Sequence, residues 1–350
     1  MDAVWAEQDT NPGAIEAALR SLLKERHAED ESYAPARVMN LVLIVDREWR
    51  GEIMNRLERV GRFHPSRTIL CEVESSRKAL DARVTMTTQG DPQPGVLTVA
   101  QERVELDCGP QHLKRLDTLV DPLVVTDLAT AVWAPHGHWD AVRSMLNMAQ
   151  IVLLDSLSEP DIETAVKRAT ELTSDVYVVD LSWLRSTPWR ERISATFDPP
   201  LWRGELGKLA TVTCRHRPDS AISGLLFFGW LSSRLGWEPG QITRQNGTIT
   251  GRAKHRRGEV VLKLEPQPDQ NTPGLAGITI ETQGGVSIAL ERGRGGLGAR
   301  RVARDGSESS WTIMGASRGE SGILGEGIRQ ALLRDPTYRP ALEAAGAMLG

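Results

Sequence analysis

The chain has 350 residues, of which 40% are hydrophobic and 25% charged, and its 42 Lys+Arg against 46 Asp+Glu leave a formal net charge of −4. These proportions exclude a disordered, fibrous or collagen-like protein, and so even a balance gives no reason to expect nucleic acid or an anionic membrane as the main partner. At roughly 100–200 residues per domain the length predicts two domains. No stretch approaches the ~18–20 uncharged apolar residues of a membrane span. The first residues carry acids where a secretory leader needs Lys or Arg. Cys71, Cys108 and Cys214 lie far apart with no CxxC, the pattern of reduced thiols. Together these features predict a cytoplasmic protein without membrane contact.

Asn11-Pro12 reads as an N-cap followed by Pro at the first helical position. Ile15, Leu19, Leu22 and Leu23 then recur at helical spacing, which predicts an amphipathic helix over 12–29. The apolar run 38–45 has the character of a strand buried on both faces. A helix over 48–60, strands 68–74 and 97–106, and a hairpin insertion over 85–99 follow. After them come helix 110–120, an apolar run ending at Trp133, helix 139–149, strand 151–154 and helix 161–172. Strands alternating with helices in this way predict an α/β N-terminal domain, Rossmann-like, with a mostly parallel sheet, over 1–173.

The texture changes near residue 174. Residues 180–203 hold Trp183, Trp189 and Trp202, and a helix is predicted over 187–197 with Thr187 as its cap and Pro188 at its first position. Strand 208–216 and a long apolar helix 219–235 come next. Alternating strands are then predicted at 242–251, 259–265, 276–282, 286–291 and 311–314, with turns at Asn246-Gly247 and Gly284-Gly285. Helices near 320–334 and 338–348 close this half. It reads as an α+β domain with an antiparallel sheet and C-terminal helices, over 174–350.

Four local patterns invite a chemical reading. Residues 293–298 match G-x-G-x-x-G, but no helical stripe follows, so a hairpin turn is expected rather than a dinucleotide loop. Residues 315–319 match G-x-S-x-G between a strand and a helix. A hydrolase triad in that chain order needs a later His, yet all seven histidines precede Ser317. A strand-to-helix turn is expected there, with Ser317 and Arg318 as candidates to hold an anion at the helix N-terminus. His136-Gly137-His138 offers two imidazoles without the third and fourth ligands of a metal site. Finally, residues 252–304 contain ten Lys+Arg and five Asp+Glu, a local charge of +5 against −9 for the remainder. That section lacks the aromatic residues that single-stranded nucleic acid would stack on, so a basic sheet edge or loop face meeting an acidic protein surface is expected. No complete catalytic or cofactor constellation emerges, which favours a binding or regulatory protein with no cofactor.

The segment DLSWLRSTPWRERISATFDPP at 180–200 resembles the hallmark stretch of the OpcA family, the glucose-6-phosphate dehydrogenase assembly proteins. Other pieces fall in the family's order: Trp5 with Asp9-Thr10, residues 36–42, Phe63-His64-Pro65-Ser66-Arg67, residues 119–123, Trp133, Leu154-Asp155-Ser156, and Arg234-Leu235-Gly236-Trp237. The resemblance implies a non-catalytic protein that binds glucose-6-phosphate dehydrogenase, promotes its assembly or allosteric activation, and supports the oxidative pentose phosphate pathway. The family has no catalytic residues to carry over, and with three scattered cysteines a redox link is not carried over either.

Trp and Arg dominate interface hot spots, so Arg185, Trp189 and Arg190 are the residues expected to meet the partner. The alternative is that Trp189 faces the domain junction while the arginines cap or solvate the helix. An enzyme or sensor binding a phosphorylated sugar or nucleotide, at the strand ends or the 315–319 turn, is the competing function.

Overall fold

The computed structural model describes residues 3–29, 33–35, 37–61, 65–89, 98–293, 295–314 and 319–350. Strand β1 (Ala3–Glu7) leads into helix α1 (Pro12–Glu29), whose first turn is capped where the Asn11 side chain accepts from the Ala14 N–H. Strands β2 (Tyr33–Pro35) and β3 (Met39–Asp46) follow. All but the last residue of β3 are buried, as its unbroken apolar run predicts. A short 3₁₀ turn at Arg47–Trp49 opens helix α2 (Arg50–Gly61), and strand β4 (Ser66–Val73) comes next. β5 (Asp81–Gln89) pairs antiparallel with β6 (Thr98–Cys108), the strand expected over 97–106, while the middle of the hairpin expected over 85–99 lies outside the described residues.

The single helix expected over 110–120 is broken into two turns, α3 (Pro110–Leu113) and α4 (Leu116–Val120). Strand β7 (Thr130–Trp133), helix α5 (Trp139–Met145), strand β8 (Ile151–Leu154), helix α6 (Ile162–Asp175) and strand β9 (Tyr177–Asp180) follow. The first sheet runs β1-β5-β6-β4-β3-β7-β8-β9, with β2 beside β6. Pairing among β6, β4, β3, β7 and β8 is parallel throughout, so the sheet is mixed and mostly parallel.

Beyond β9 the chain makes three short helices: α7 (Leu181–Arg185), α8 (Thr187–Phe197) and α9 (Pro200–Arg203). Ser186, not Thr187, occupies the cap position of α8, so that Pro188 stands in its first turn. Strand β10 (Leu209–His216) precedes helix α10 (Ala221–Leu235). A second sheet is then completed by β11 (Glu238–Pro239), β12 (Thr243–Gln245), β13 (Thr248–His255), β14 (Gly258–Pro266), β15 (Leu275–Thr282), β16 (Ser287–Gly293), β17 (Gly296–Val302) and β18 (Glu308–Met314). It runs β11-β13-β14-β10-β15-β16-β17-β18 and is antiparallel except where β10 meets β14. The strand expected over 242–251 is in fact the β12–β13 hairpin, folded at Asn246-Gly247 with both residues at positive φ. Helices α11 (Glu320–Leu333) and α12 (Tyr338–Leu349) end the chain.

Two compact units result. One comprises 1–154, 175–179 and 324–333, and the other 155–174, 180–323 and 334–350. In the second, α10 packs on β10 and β14 and against α12. Gly229 makes the helix pair possible, because a Cβ there would lie 2.0 Å from the Ala341 carbonyl oxygen.

Candidate functional site

In order of appearance, the strands β6-β4-β3-β7-β8-β9 read 3-2-1-4-5-6, the order of the dinucleotide-binding fold. The place to look for a ligand is therefore the switch point, where the loops after β3 and β7 diverge. A nucleotide needs glycines there, so that backbone N–H groups can approach the pyrophosphate. This chain instead has Arg47, Glu48, Trp49 and Arg50 after β3. Trp49 stacks on His136 with ring centroids 4.9 Å apart, and His138 Nε2 lies 3.0 Å from Asp46 Oδ1. Burial lowers the pKa of His136, favouring the neutral ring.

The acids at the end of the second parallel strand, where a ribose would be held, are taken too. Glu72 accepts from Arg50 Nε at 2.8 Å, and Glu74 accepts from Arg47 Nη1 at 2.7 Å. Arg50 also reaches Glu105 at 3.0 Å. Burial, with Asp107 nearby, raises the Glu72 carboxyl despite the two arginines. These paired side chains line an open cavity of about 470 Å³, with Arg47, Arg50, Glu72 and Glu105 on its walls. The two histidines of the HxH pattern serve these contacts, and among the described residues no group of three or more His, Cys, Asp or Glu could hold a metal.

The segment 180–203 organises the second unit. Asp180, at the end of β9, is buried and accepts from the Ser182 N–H (2.9 Å), the Ser156 N–H (3.2 Å), the Ser156 hydroxyl and the Tyr338 hydroxyl (3.0 Å). Burial pushes its pKa up to about 6 in spite of the Ser156 hydrogen bond, with the Asp155 charge adding to the rise. Arg185 grips Asp155 with both Nη atoms at 2.8 Å, and reaches Glu320 through Nε (3.1 Å) and Nη2 (2.6 Å). Burial opposes the charge of Arg185, but the two carboxylates outweigh it and raise its pKa.

Arg190 lies 3.4 Å over the Trp183 ring and donates to Ser186 Oγ, Thr187 Oγ1 and the Trp183 carbonyl. Burial brings its pKa down to about 10 although Asp335 pulls the other way. Trp183 in turn donates Nε1–H to Asp335 at 2.8 Å. Trp189 is 1% exposed, with the Arg292 guanidinium 5.8 Å from its ring centre.

The structure brings Arg185, Trp189 and Arg190 into one neighbourhood and packs their side chains largely inward. Arg185 and Arg190 are spent on internal acids and on an indole ring, and Trp189 is core. Ser317 and Arg318, the anion candidates, lie outside the described residues. The 293–298 glycines form the β16–β17 connection, with Gly293 opposite Gly296, as a hairpin reading requires. From the sequence, Asp155 and Asp180 stand only within segments that carry the family resemblance, with no role assigned, and Asp335 and Tyr338 stand in none. The available signal was an acid closing each of two short apolar strands with a serine within two positions, the pattern of a side chain that caps the following turn.

Residues 58–171 match the glucose-6-phosphate dehydrogenase subunit N-terminal domain, and residues 176–342 the corresponding C-terminal domain, both of the OpcA family. The chain is 24% identical over 201 residues to the OxPP cycle protein OpcA of Synechococcus elongatus, covering 56% of this chain and 45% of that protein. It is 22% identical over 236 residues to its namesake in Synechocystis, covering 66% and 49%. The chain spans about half the length of the curated relatives it matches. Among solved structures, the probable oxidoreductase yhhX is similar over 89% of this chain and 94% of its own, at 13% identity and a TM-score of 0.47. With both of the family's domain models matched in order, the chain belongs to the OpcA family.

Proposed function

We propose that this protein is a non-catalytic assembly or allosteric activator protein that binds glucose-6-phosphate dehydrogenase in the cytoplasm and supports the oxidative pentose phosphate pathway. The observation that carries the reading is the match of both glucose-6-phosphate dehydrogenase subunit domains. Their division near residue 173 also supports treating 1–173 and 174–350 as the two inherited domains. The switch point adds a physical argument, since the loop after β3 carries Arg47, Trp49 and Arg50 where a pyrophosphate needs glycines, and the acids at the end of β4 are paired with those two arginines.

Such a scaffold activates only by binding the active form of its partner better than the inactive one, and about 1.4 kcal/mol of preference shifts that balance tenfold. Arg185, Trp189 and Arg190 contribute by fixing the shape of the second unit from within. The test is co-elution with the dehydrogenase from the same organism in size-exclusion chromatography. A shared peak of larger mass is the expected result, and two unshifted peaks at micromolar concentration would contradict the proposal.

A further inference from the structure

The basic section 252–304 divides into two kinds of arginine. Arg252, Arg300 and Arg304 are paired with Glu259, Glu308 and Glu205, while Arg292 and Arg301 lie over tryptophan rings. Arg256 and Arg257 have neither kind of support. They form the two-residue turn of the β13–β14 hairpin, and His255 pairs with Gly258 to close it. The hairpin end faces an open groove of about 520 Å³, walled opposite by Arg203 and Gly207 and floored by Trp237.

Arg257 Nη1 would lie 3.2 Å from a Cβ at Gly207, so a side chain at that position would crowd the guanidinium. Arg203 donates to the Asp198 carbonyl. Among the described residues, none of the three arginines has a carboxylate within ion-pair distance. The nearest acids are committed elsewhere: Glu205 is buried and holds Lys208 and Arg304, and Glu259 holds Arg252.

His255 steadies the hairpin end. Its Nδ1 accepts from the Arg257 N–H at 3.2 Å, and its Nε2 is shielded from solvent, so the ring braces the turn that presents the two arginines.

We propose that this groove binds the phosphoryl group of a small phosphate monoester, with the Arg203, Arg256 and Arg257 guanidiniums as its donors. Three guanidiniums match the charge and the three terminal oxygens of a phosphate dianion better than the two oxygens of a carboxylate. The indole of Trp237 and the apolar stem of the helix end beside it offer a surface to the carbon skeleton.

The full chain is titrated at fixed ionic strength with inorganic phosphate, with a hexose phosphate, with the free hexose and with a polyglutamate peptide, followed by calorimetry. Saturable millimolar or tighter binding of the phosphates but not of the hexose is expected. Arg257→Ala and Arg203→Ala should each weaken that binding more than about tenfold without lowering Tm, whereas Arg252→Ala, which removes a paired guanidinium from the same strand, should leave it intact. Phosphate binding that is absent, or that survives both groove variants, would overturn the site. Polyglutamate binding without phosphate binding would overturn it in favour of an acidic protein segment.

Discussion

Asp180 shows how a single buried carboxyl leaves a signature in solution. Its ordinary pKa of 3.8 rises to about 6 in the folded protein, chiefly through burial, so the native state holds the proton more tightly than the unfolded chain does. The stabilisation from that proton is complete below the unfolded value and is lost as pH climbs through the folded one. Between those limits the wild type should lose up to about 3 kcal/mol relative to Asp180→Asn, which preserves the shape and does not titrate. Urea unfolding of both proteins across that window measures the difference, and parallel profiles would contradict it. Trp189, 1% exposed beneath Arg292, makes a plainer case. Trp189→Ala should cost about 3–5 kcal/mol of stability from the cavity it opens. An unchanged Tm together with a lost partner interaction would restore Trp189 as a contact residue.

Secondary structure was legible wherever burial and periodicity agreed. Helix α1, the buried strand β3 and the helices α11 and α12 follow from residues that announce themselves in one dimension. Strand β17 did not, because Gly296 and Gly298 read as turn residues. The reason for Gly296 is three-dimensional: a Cβ there would stand 1.9 Å from the Ile313 carbonyl oxygen on the neighbouring strand. Strand β9 is illegible because four residues carry too little pattern, and β1 because its partner, β5, lies some 80 positions away. Inward-facing arginines were illegible for the same reason, since Asp155 and Glu320 are brought to Arg185 by the fold alone.

Two consequences belong to packed elements. Gly229→Ala should separate α10 from α12 and destabilise the protein by about 1–3 kcal/mol in chemical denaturation, whereas a neutral outcome would mean the helices can slide apart freely. At the switch point, with Trp49 on His136 and both arginines on acids, millimolar NADP+ should leave Tm unchanged. A rise of several degrees would show that this crevice opens to a nucleotide.

For the molecule as a whole, the first sheet keeps the strand order of a nucleotide-binding domain while its ligand positions are internally satisfied, and the second supplies a braced antiparallel sheet. Among the described residues no helix is long and apolar enough to cross a membrane. On the proposed reading, the protein acts through the conformational balance of the dehydrogenase it binds. The decisive measurement is steady-state kinetics of the organism's own glucose-6-phosphate dehydrogenase, at fixed salt and substrate, titrated with this protein. A saturable fall in KM or rise in kcat, with no turnover by this protein alone, is the predicted result. Kinetics unchanged at every ratio, from enzyme assembled both before and after the addition, would contradict it.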